Sequence, residues 1–302
     1  MSSALEQIVE RVRAAAAARL PLVIRAGGSK DFYGNATEGE RLDPRGHAGI
    51  VAHEPTELVI TARCGTRLAE LEAALDAAGQ MLPFEPPHFG PDATVGGCVA
   101  AGLAGPRRAS AGAVRDYVLG VKLVSGKGEV LAFGGTVMKN VAGYDVARLA
   151  AGSLGVLGVI AEISLKVLPK PVAETTLRFE LDEAAALARM NAWAGRPLPV
   201  SATAWRDGVL HVRLSGARAA VADAVRTLGG AEVDGSALWH GLREHTDAFF
   251  AGDAPLWRLA LPTVAQPVGL PGAQLIEWGG GQRWLRGDLP ANFAAALAAF
   301  KK

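Results

Sequence analysis

Three stretches of this sequence give up side chains where backbone chemistry could be done. The first is Ala26-Gly27-Gly28-Ser29-Lys30. The second, EPPHFGPDATVGGCVAAGLAGPRRASAGAVR, runs from Glu85 to Arg115. The third holds Gly152, Gly155 and Gly158 in GSLGVLG. Glycine loses more conformational entropy on folding than any other residue, so such density implies backbone brought close to something. In the first stretch the freed N–H groups can turn inward as an anion-binding nest. Together the three surfaces suit a long ligand with a diphosphate in its middle, because amide donors neutralise phosphates without a basic side chain. Tight strand packing and ordinary turns use the same residues, and each stretch taken alone leaves both readings open.

Other chemistries lack their residues. No strand-to-helix G-x-G-x-x-G with an acidic residue about 20 positions on is present, and no G-x-x-x-x-G-K-[ST], so neither a Rossmann nor a P-loop site is indicated. G-x-S-x-G and H-E-x-x-H are also missing, which leaves hydrolase and zincin mechanisms without an anchor. The two cysteines, Cys64 and Cys98, have no C-x-x-C spacing. The chain therefore offers no iron–sulfur or structural zinc framework of its own, and electron transfer would need a bound cofactor or another subunit. Cys98 reads as a small packed residue, and His47 and His53, near strand ends, as satisfied polar groups.

The elements that must position these stretches follow from periodicity. Leu5, Ile8, Val9 and Val12 recur at helical spacing, so residues 4–19 form an amphipathic helix ended by Pro21. Residues 22–25 are a strand running into the first glycine loop, and 49–52 and 57–64 are further strands. Thr66 is expected to cap a helix with Leu68, Leu71, Ala74 and Leu75 on one face and Gly79 as its stop. Residues 117–125 and 129–133 form a hairpin about Gly126-Lys127-Gly128. A polar K-N-V-A-G-Y-D element at 139–145 precedes a short helix, and 159–168 is a strand. Pro169 and Pro171 mark a boundary near 170–173, dividing a domain 1–172 from a domain 173–302.

The second part spells βαββα: strand TTLRFE, helix 183–194, strand VSATAWR, an Asp207-Gly208 turn, strand VLHVRLS and helix 217–228. This is the order of a ferredoxin-like α+β domain. A helix over 238–250, strands LWRLALP, AQLIEWG and QRWLRG, and an alanine-rich helix to Lys302 complete it. All six tryptophans fall here and read as core and interface packing.

At 302 residues, 50% hydrophobic and 20% charged, with 31 basic against 30 acidic residues and a net charge of +1, the chain is globular. It has no field to steer nucleic acid or an anionic membrane. Glu6, Glu10, Arg11 and Arg13 interrupt what would be a signal-peptide core, so a cytoplasmic N-terminus is expected. Its weakly polar runs fall short of the roughly 18–20 residues of a membrane span.

The segments LVIRAGGSKDFYG, HEPTELVITARCGTRLAELEAALDAAGQMLPFEPPHFG, ATVGGCVAAGLAGPRR, VRDYVLGVKLVSGKGEVLAFGGTVMKNVAGYDVARLAAGSLGVLGVIAEISLKVLP, WRLALP and LIEWGGGQRWL cover most of residues 5–286. In combination they resemble flavin-binding proteins of the vanillyl-alcohol-oxidase or PCMH type. Within these, they resemble the family of E subunits of bacterial glycolate oxidases (glycolate dehydrogenases). The resemblance implies an α+β fold: a PCMH-type FAD-binding domain of two α+β subdomains followed by a ferredoxin-like α+β cap. It implies FAD with Ala26, Gly27, Gly28, Ser29 and Lys30 at the pyrophosphate. Pro87, Thr94, Gly96 and Gly97 would follow the cofactor, and Gly155, Gly158 and Val159 would offer backbone contacts. Arg115, Asp116 and Gly143-Tyr144-Asp145 match positions nearby. Where many relatives carry a flavin-linking histidine, Ser29 stands, so the FAD is expected to be non-covalent.

The reaction so implied is oxidation of glycolate or a related 2-hydroxy acid such as D-lactate to the 2-oxo acid. The family's catalytic site is ascribed to a second flavoprotein subunit, and an iron–sulfur subunit carries electrons away. The chain then reads as the FAD-binding partner, cytoplasmic, with any membrane association through its partners. A clamp and base for such a substrate would need clustered cations and histidines. Arg206, Arg213, Arg243, Arg258, Arg283, His211, His240 and His245 are scattered in sequence, and no catalytic residue is assigned. A cofactor-free scaffold and a self-sufficient FAD-dependent 2-hydroxy-acid dehydrogenase remain alternatives. Relatives end in an N-P-G-R type segment, whereas this sequence stops at Phe300-Lys301-Lys302, so the resemblance implies either a shortened cap or a divergent branch.

Overall fold

A computed structural model describes residues 3–136 and 144–288. The alanine-rich helix expected up to Lys302, and Lys139 to Gly143 of the K-N-V-A-G-Y-D element, lie outside the described residues. The chain forms two compact units. One comprises Met1–Ala104 with Gly112–Lys170, the other Gly105–Ala111 with Pro171–Lys302.

The first unit opens with helix Ala4–Ala18. Ser3 starts it by accepting from the Glu6 amide at 3.2 Å, while the Glu6 carboxylate accepts from the Ser3 amide at 2.7 Å. Its buried face, Ile8, Val9 and Val12, packs with Leu42, Val124 and Val159. Strand Leu22–Ile24 pairs in parallel with Glu40–Leu42. The main sheet is antiparallel, in the order Ile50–Glu54, Val59–Arg63, Val159–Lys166, Val118–Val124, Val130–Gly134. Ile60, Leu68, Leu71, Leu75, Phe84 and Val95 are fully buried in its core. At about 1.5–3 kcal/mol for each large apolar side chain taken from water, this layer holds the unit together.

Helix Leu68–Ala77 buries the leucine face expected of it, but Thr66 does not cap it. The cap position is Arg67, with no side-chain bond. The Thr66 hydroxyl turns back to donate to the Arg63 carbonyl at 2.7 Å and accepts from the Gly49 amide at 2.9 Å, so it ties the strand ends together.

The second unit is a seven-stranded antiparallel sheet. Its order is Ala231–Val233, Ala173–Glu180, Val209–Gly216, Val200–Arg206, Ala273–Glu277, Gln282–Arg286, Leu256–Ala260. The βαββα portion contributes the second, third and fourth strands in that order, and Ala231–Val233, which follows it in the chain, pairs at the edge with Ala173–Glu180. Helices Glu183–Ala194 and Arg218–Leu228 cover one face through Leu177, Leu187, Met190, Leu210 and Val221. Helix Ser236–Glu244 covers the other with Trp239, Leu242 and Phe249 on Ala202, Leu275 and Trp284. The single helix expected over 238–250 breaks at His245, whose φ of 52° is left-handed. The chain resumes as a short turn, Ala248–Phe250, that Asp247 caps.

Candidate functional site: a glycine-lined cradle

The three glycine stretches, apart from Gly105–Ala111 of the second, lie in the first unit and meet there. The second stretch is less loop than its composition suggests. Thr94 caps a helix, Val95–Ala101, by accepting from the Gly97 amide at 3.2 Å, and Gly102 ends it in a left-handed conformation. From this helix the Val99 and Ala100 carbonyls each accept, at 2.9 Å, from the amides of Gly152 and Leu154 in the third stretch. A Cβ on Gly155 would lie 3.2 Å from Ile24, in the strand that feeds the first stretch. A Cβ on Gly27 would fall 1.8 Å from the Asp92 carbonyl, two residues before Thr94. The close approaches that demand glycine are thus the contacts that assemble the site.

The first stretch is built to aim amides. Arg41 donates to the Ala26 carbonyl at 3.0 Å, and the Gly28 carbonyl accepts from the Asp31 amide at 3.2 Å. In a trans peptide the carbonyl and the following N–H point oppositely, so both contacts turn the Gly27 and Ser29 amides the other way. Gly28, at φ 71°, supplies the left-handed step between them. Among the described residues the amides of Ala26, Gly27, Gly28 and Ser29 find no protein acceptor, although all four residues are partly buried. Lys30 closes the run: its ammonium donates to the His88 carbonyl at 3.2 Å and sits 5.5 Å from the Phe89 ring centroid. Arg25 flanks it, its guanidinium donating to Asp31 at 2.7 Å, which raises the arginine's already high pKa.

The remaining sequence-chosen residues divide. Pro87 is buried between Glu85 and Phe89, non-glycine residues at φ 46° and 53°, in the segment that Lys30 grips. Gly96 packs on Cys64, where a Cβ would lie 2.6 Å from the cysteine Cβ. Gly97 differs, since among the described residues a Cβ there would meet only the Thr94 hydroxyl, at 3.2 Å. A helical glycine costs about 1 kcal/mol relative to alanine, and no protein backbone demands this one. An approaching ligand would. Gly158 is required by the Val124 carbonyl, 2.3 Å from its would-be Cβ, and Val159 is a strand residue buried in the core. Arg115 stands in the turn Val114–Asp116 with its side chain 68% exposed, 4.0 Å from Asp116, against the short helix Val146–Leu149. Among the described residues no hydrogen bond or ion pair joins it to the cradle.

Sequence reading missed the wall beyond Asp92. A cleft of about 520 Å³ is lined by Asp43, Arg45, Gly65, Arg67, Asp92 and Thr94 among others, sharing its last two residues with the cradle's far side. Arg45 grips Asp43 at 2.7–3.0 Å and holds its carboxyl below the usual carboxylate range. Such pairs of opposite charge carry no motif signal. Burial pushes the Cys98 thiol up to about 12, so it stays protonated and unreactive.

The unoccupied amides and the bare Cα of Gly97 fit a diphosphate-bearing cofactor such as FAD, with Ala26 to Lys30 as its anion cradle.

Known proteins agree with that chemistry. A family model described as an FAD binding domain matches residues 3–148. The chain is 50% identical over 287 residues to glycolate oxidase subunit GlcE of Escherichia coli, covering 95% of this chain and 82% of that one. Glycolate oxidase subunit GlcD of Bacillus subtilis is 32% identical over 187 residues, 61% of this chain and 40% of its own. A D-lactate dehydrogenase of Anaerostipes hadrus is 38% identical over 128 residues, 42% of this chain and 26% of its own. In fold the chain is similar to alkyldihydroxyacetonephosphate synthase, with a TM-score of 0.67 over 98% of this chain and 72% of that one, at 15% identity.

Proposed function

The chain belongs to the glycolate oxidase E-subunit family of FAD-binding oxidoreductases, with the α+β fold of the PCMH type, and from that premise we propose that it is the FAD-holding subunit of an assembly oxidising glycolate or a related 2-hydroxy acid. In this reading residues 1–172 bind the cofactor and 173–302 act as a cap. The assembly adds a catalytic flavoprotein subunit and an iron–sulfur subunit. The observation that carries the proposal is the run of four amides, Ala26 to Ser29, that meet no acceptor among the described residues, beside Lys30.

The residues divide the work of holding the cofactor. Ala26, Gly27, Gly28 and Ser29 would hold the diphosphate through their amides, and Lys30, anchored on the His88 carbonyl, would add positive charge at the end of the run. Thr94 fixes the helix that presents Gly97, while Gly155 seats the third stretch on Ile24. Bound there, FAD supplies the two-electron acceptor for hydroxy-acid oxidation. Ser29 offers a hydroxyl where a covalent link would need imidazole, so the flavin is held non-covalently. Onward one-electron transfer is assigned to an iron–sulfur partner, since Cys64 and Cys98, the only cysteines of the sequence, are buried thiols. No helix among the described residues is long and apolar enough to cross a membrane. A cytoplasmic site of action, with membrane contact only through partners, is part of the proposal.

The test is the visible spectrum of the purified chain. Wild-type protein carries flavin absorbance that acid denaturation releases as free FAD, and Gly28→Val, which puts a Cβ at φ 71° against Arg25, retains none. A chain that stays colourless in excess FAD overturns the proposal. Bleaching of the isolated chain by glycolate would show that it turns over substrate without its partners.

A further inference from the structure

The second unit contains an arrangement that the FAD reading does not use. Strand pairing puts Arg258 opposite Trp284, and Gln282 opposite both Ala260 and Glu277. Alternation along each strand then places Arg258, Trp284, Gln282 and Glu277 on one face of the sheet. These side chains are wired in series. Buried Glu277 accepts from the Trp284 indole at 2.9 Å and from the Gln282 amide at 3.1 Å, and the Gln282 carbonyl accepts from Arg258 Nε at 2.8 Å. The guanidinium lies 5.5 Å from the Trp278 ring centroid and 5.8 Å from that of Trp284. Among the described residues its two terminal nitrogens meet no acceptor and it forms no ion pair.

Trp278 is itself held at a cost. It takes φ 55°, a conformation that an aromatic residue adopts only under constraint, and begins the run Trp278-Gly279-Gly280-Gly281. The Gly279 amide donates to Thr203 Oγ1 at 2.9 Å and the indole donates to the Gly105 carbonyl at 3.1 Å. The Gly105–Ala111 segment belongs to this unit and is fixed to it by Arg107 on Glu174 at 2.9 Å and Ser110 on the Ser201 carbonyl at 2.9 Å. It brings Arg108 to 4.6 Å from the same Trp278 ring. One constrained indole thus carries two guanidinium groups, one of them aimed through a buried carboxylate and amide.

Burying a carboxylate costs several kcal/mol unless its partners compensate, and here the compensation orients a cation with its outer edge open. The open Nη1/Nη2 edge of the guanidinium, one N–H from each nitrogen, matches the two oxygens of a carboxylate. We propose that Arg258, on the Trp278 platform and with Arg108 as second cation, is the binding site for the carboxylate of a small organic acid. The two rings exclude water from one side of the ion pair and strengthen it. The site does not depend on the cradle reading, because every residue in it lies in the other unit.

Calorimetric titration of the full-length chain with glycolate tests this, with glycolamide as the uncharged control. Glycolate gives saturable heat and glycolamide none; Arg258→Gln weakens glycolate binding by at least about tenfold, the scale of one charge-assisted hydrogen bond. Arg258→Lys, which keeps charge but not the fork, falls between. If circular dichroism shows Arg258→Gln to be misfolded, Trp278→Leu replaces it, with the same loss expected. Absence of saturable heat with glycolate, or equal affinity in wild type and the folded variant, overturns the proposal. Gly28→Val retains the glycolate heat while losing flavin, so this site and the cradle are tested separately.

Discussion

The proposed cradle of the first unit and the proposed arginine–tryptophan site of the second would recognise anions in opposite ways. The cradle withdraws side chains so that amides do the work, with Arg41 and Asp31 merely steering peptide planes. The cluster instead buries polar side chains, Glu277 and Gln282, to aim one guanidinium. Backbone sites therefore break when a side chain is added, and side-chain sites break when one is removed or changes charge.

Four substitutions sharpen that contrast. The largest effect is expected at Arg283, fully buried on the face opposite Glu277, where it donates to the carbonyls of Gly280 and Gln266 and contacts that of Ala265. Arg283→Ala leaves these acceptors buried and lowers stability by about 3–5 kcal/mol in urea unfolding. A loss under 1 kcal/mol would mean that the second unit does not depend on its polar interior.

Next is the pH dependence of Glu277. Burial, aided by Asp247, pushes its carboxyl up to about 7 from an ordinary 4.5, against the Trp284 and Gln282 hydrogen bonds and the charge of Arg258. The folded state then holds a proton that the unfolded state has lost, so this contribution is complete below pH 4.5 and disappears as pH rises through 7. Relative to Glu277→Gln, wild type loses roughly 3 kcal/mol of stability between pH 4.5 and 8. Parallel stability curves for the two proteins would refute the burial argument.

Smaller effects test the cradle. Thr94→Ala removes the Gly97 cap, costing about 1 kcal/mol and part of the bound flavin, as read by unfolding and by absorbance. Gly97→Ala is the sharpest case. With only the Thr94 hydroxyl near its new methyl, the chain without flavin keeps its stability or gains up to about 1 kcal/mol, while flavin retention falls. Should Gly97→Ala instead destabilise the flavin-free chain, Gly97 would be a packing residue like Gly96.

Much of this was legible in the sequence, and the misses are instructive. The helix of residues 4–19, the hairpin about Gly126–Gly128 and the βαββα order follow from periodicity and turn chemistry, which are local. The left-handed step at Gly28 was readable in the first stretch because glycine permits what the loop does. Helix Val95–Ala101 was hidden by low intrinsic propensity, which the Thr94 cap and burial on Cys64 override. The break at His245 was hidden because a left-handed histidine has no sequence signature.

The sequence by itself determined which backbone could be bare, which faces were apolar and where strands and helices alternate, because these depend on neighbours within a few residues. Only the tertiary structure decided why Gly27 must lie against Asp92, why Gly97 need not touch backbone, and why Arg107 and Arg108 belong with Glu174 and Trp278. Each of those choices joins residues separated by 60 or more positions or turns on the absence of a neighbour, as with Gly97. Such contacts are fixed by packing and by the hydrogen bonds that buried groups require.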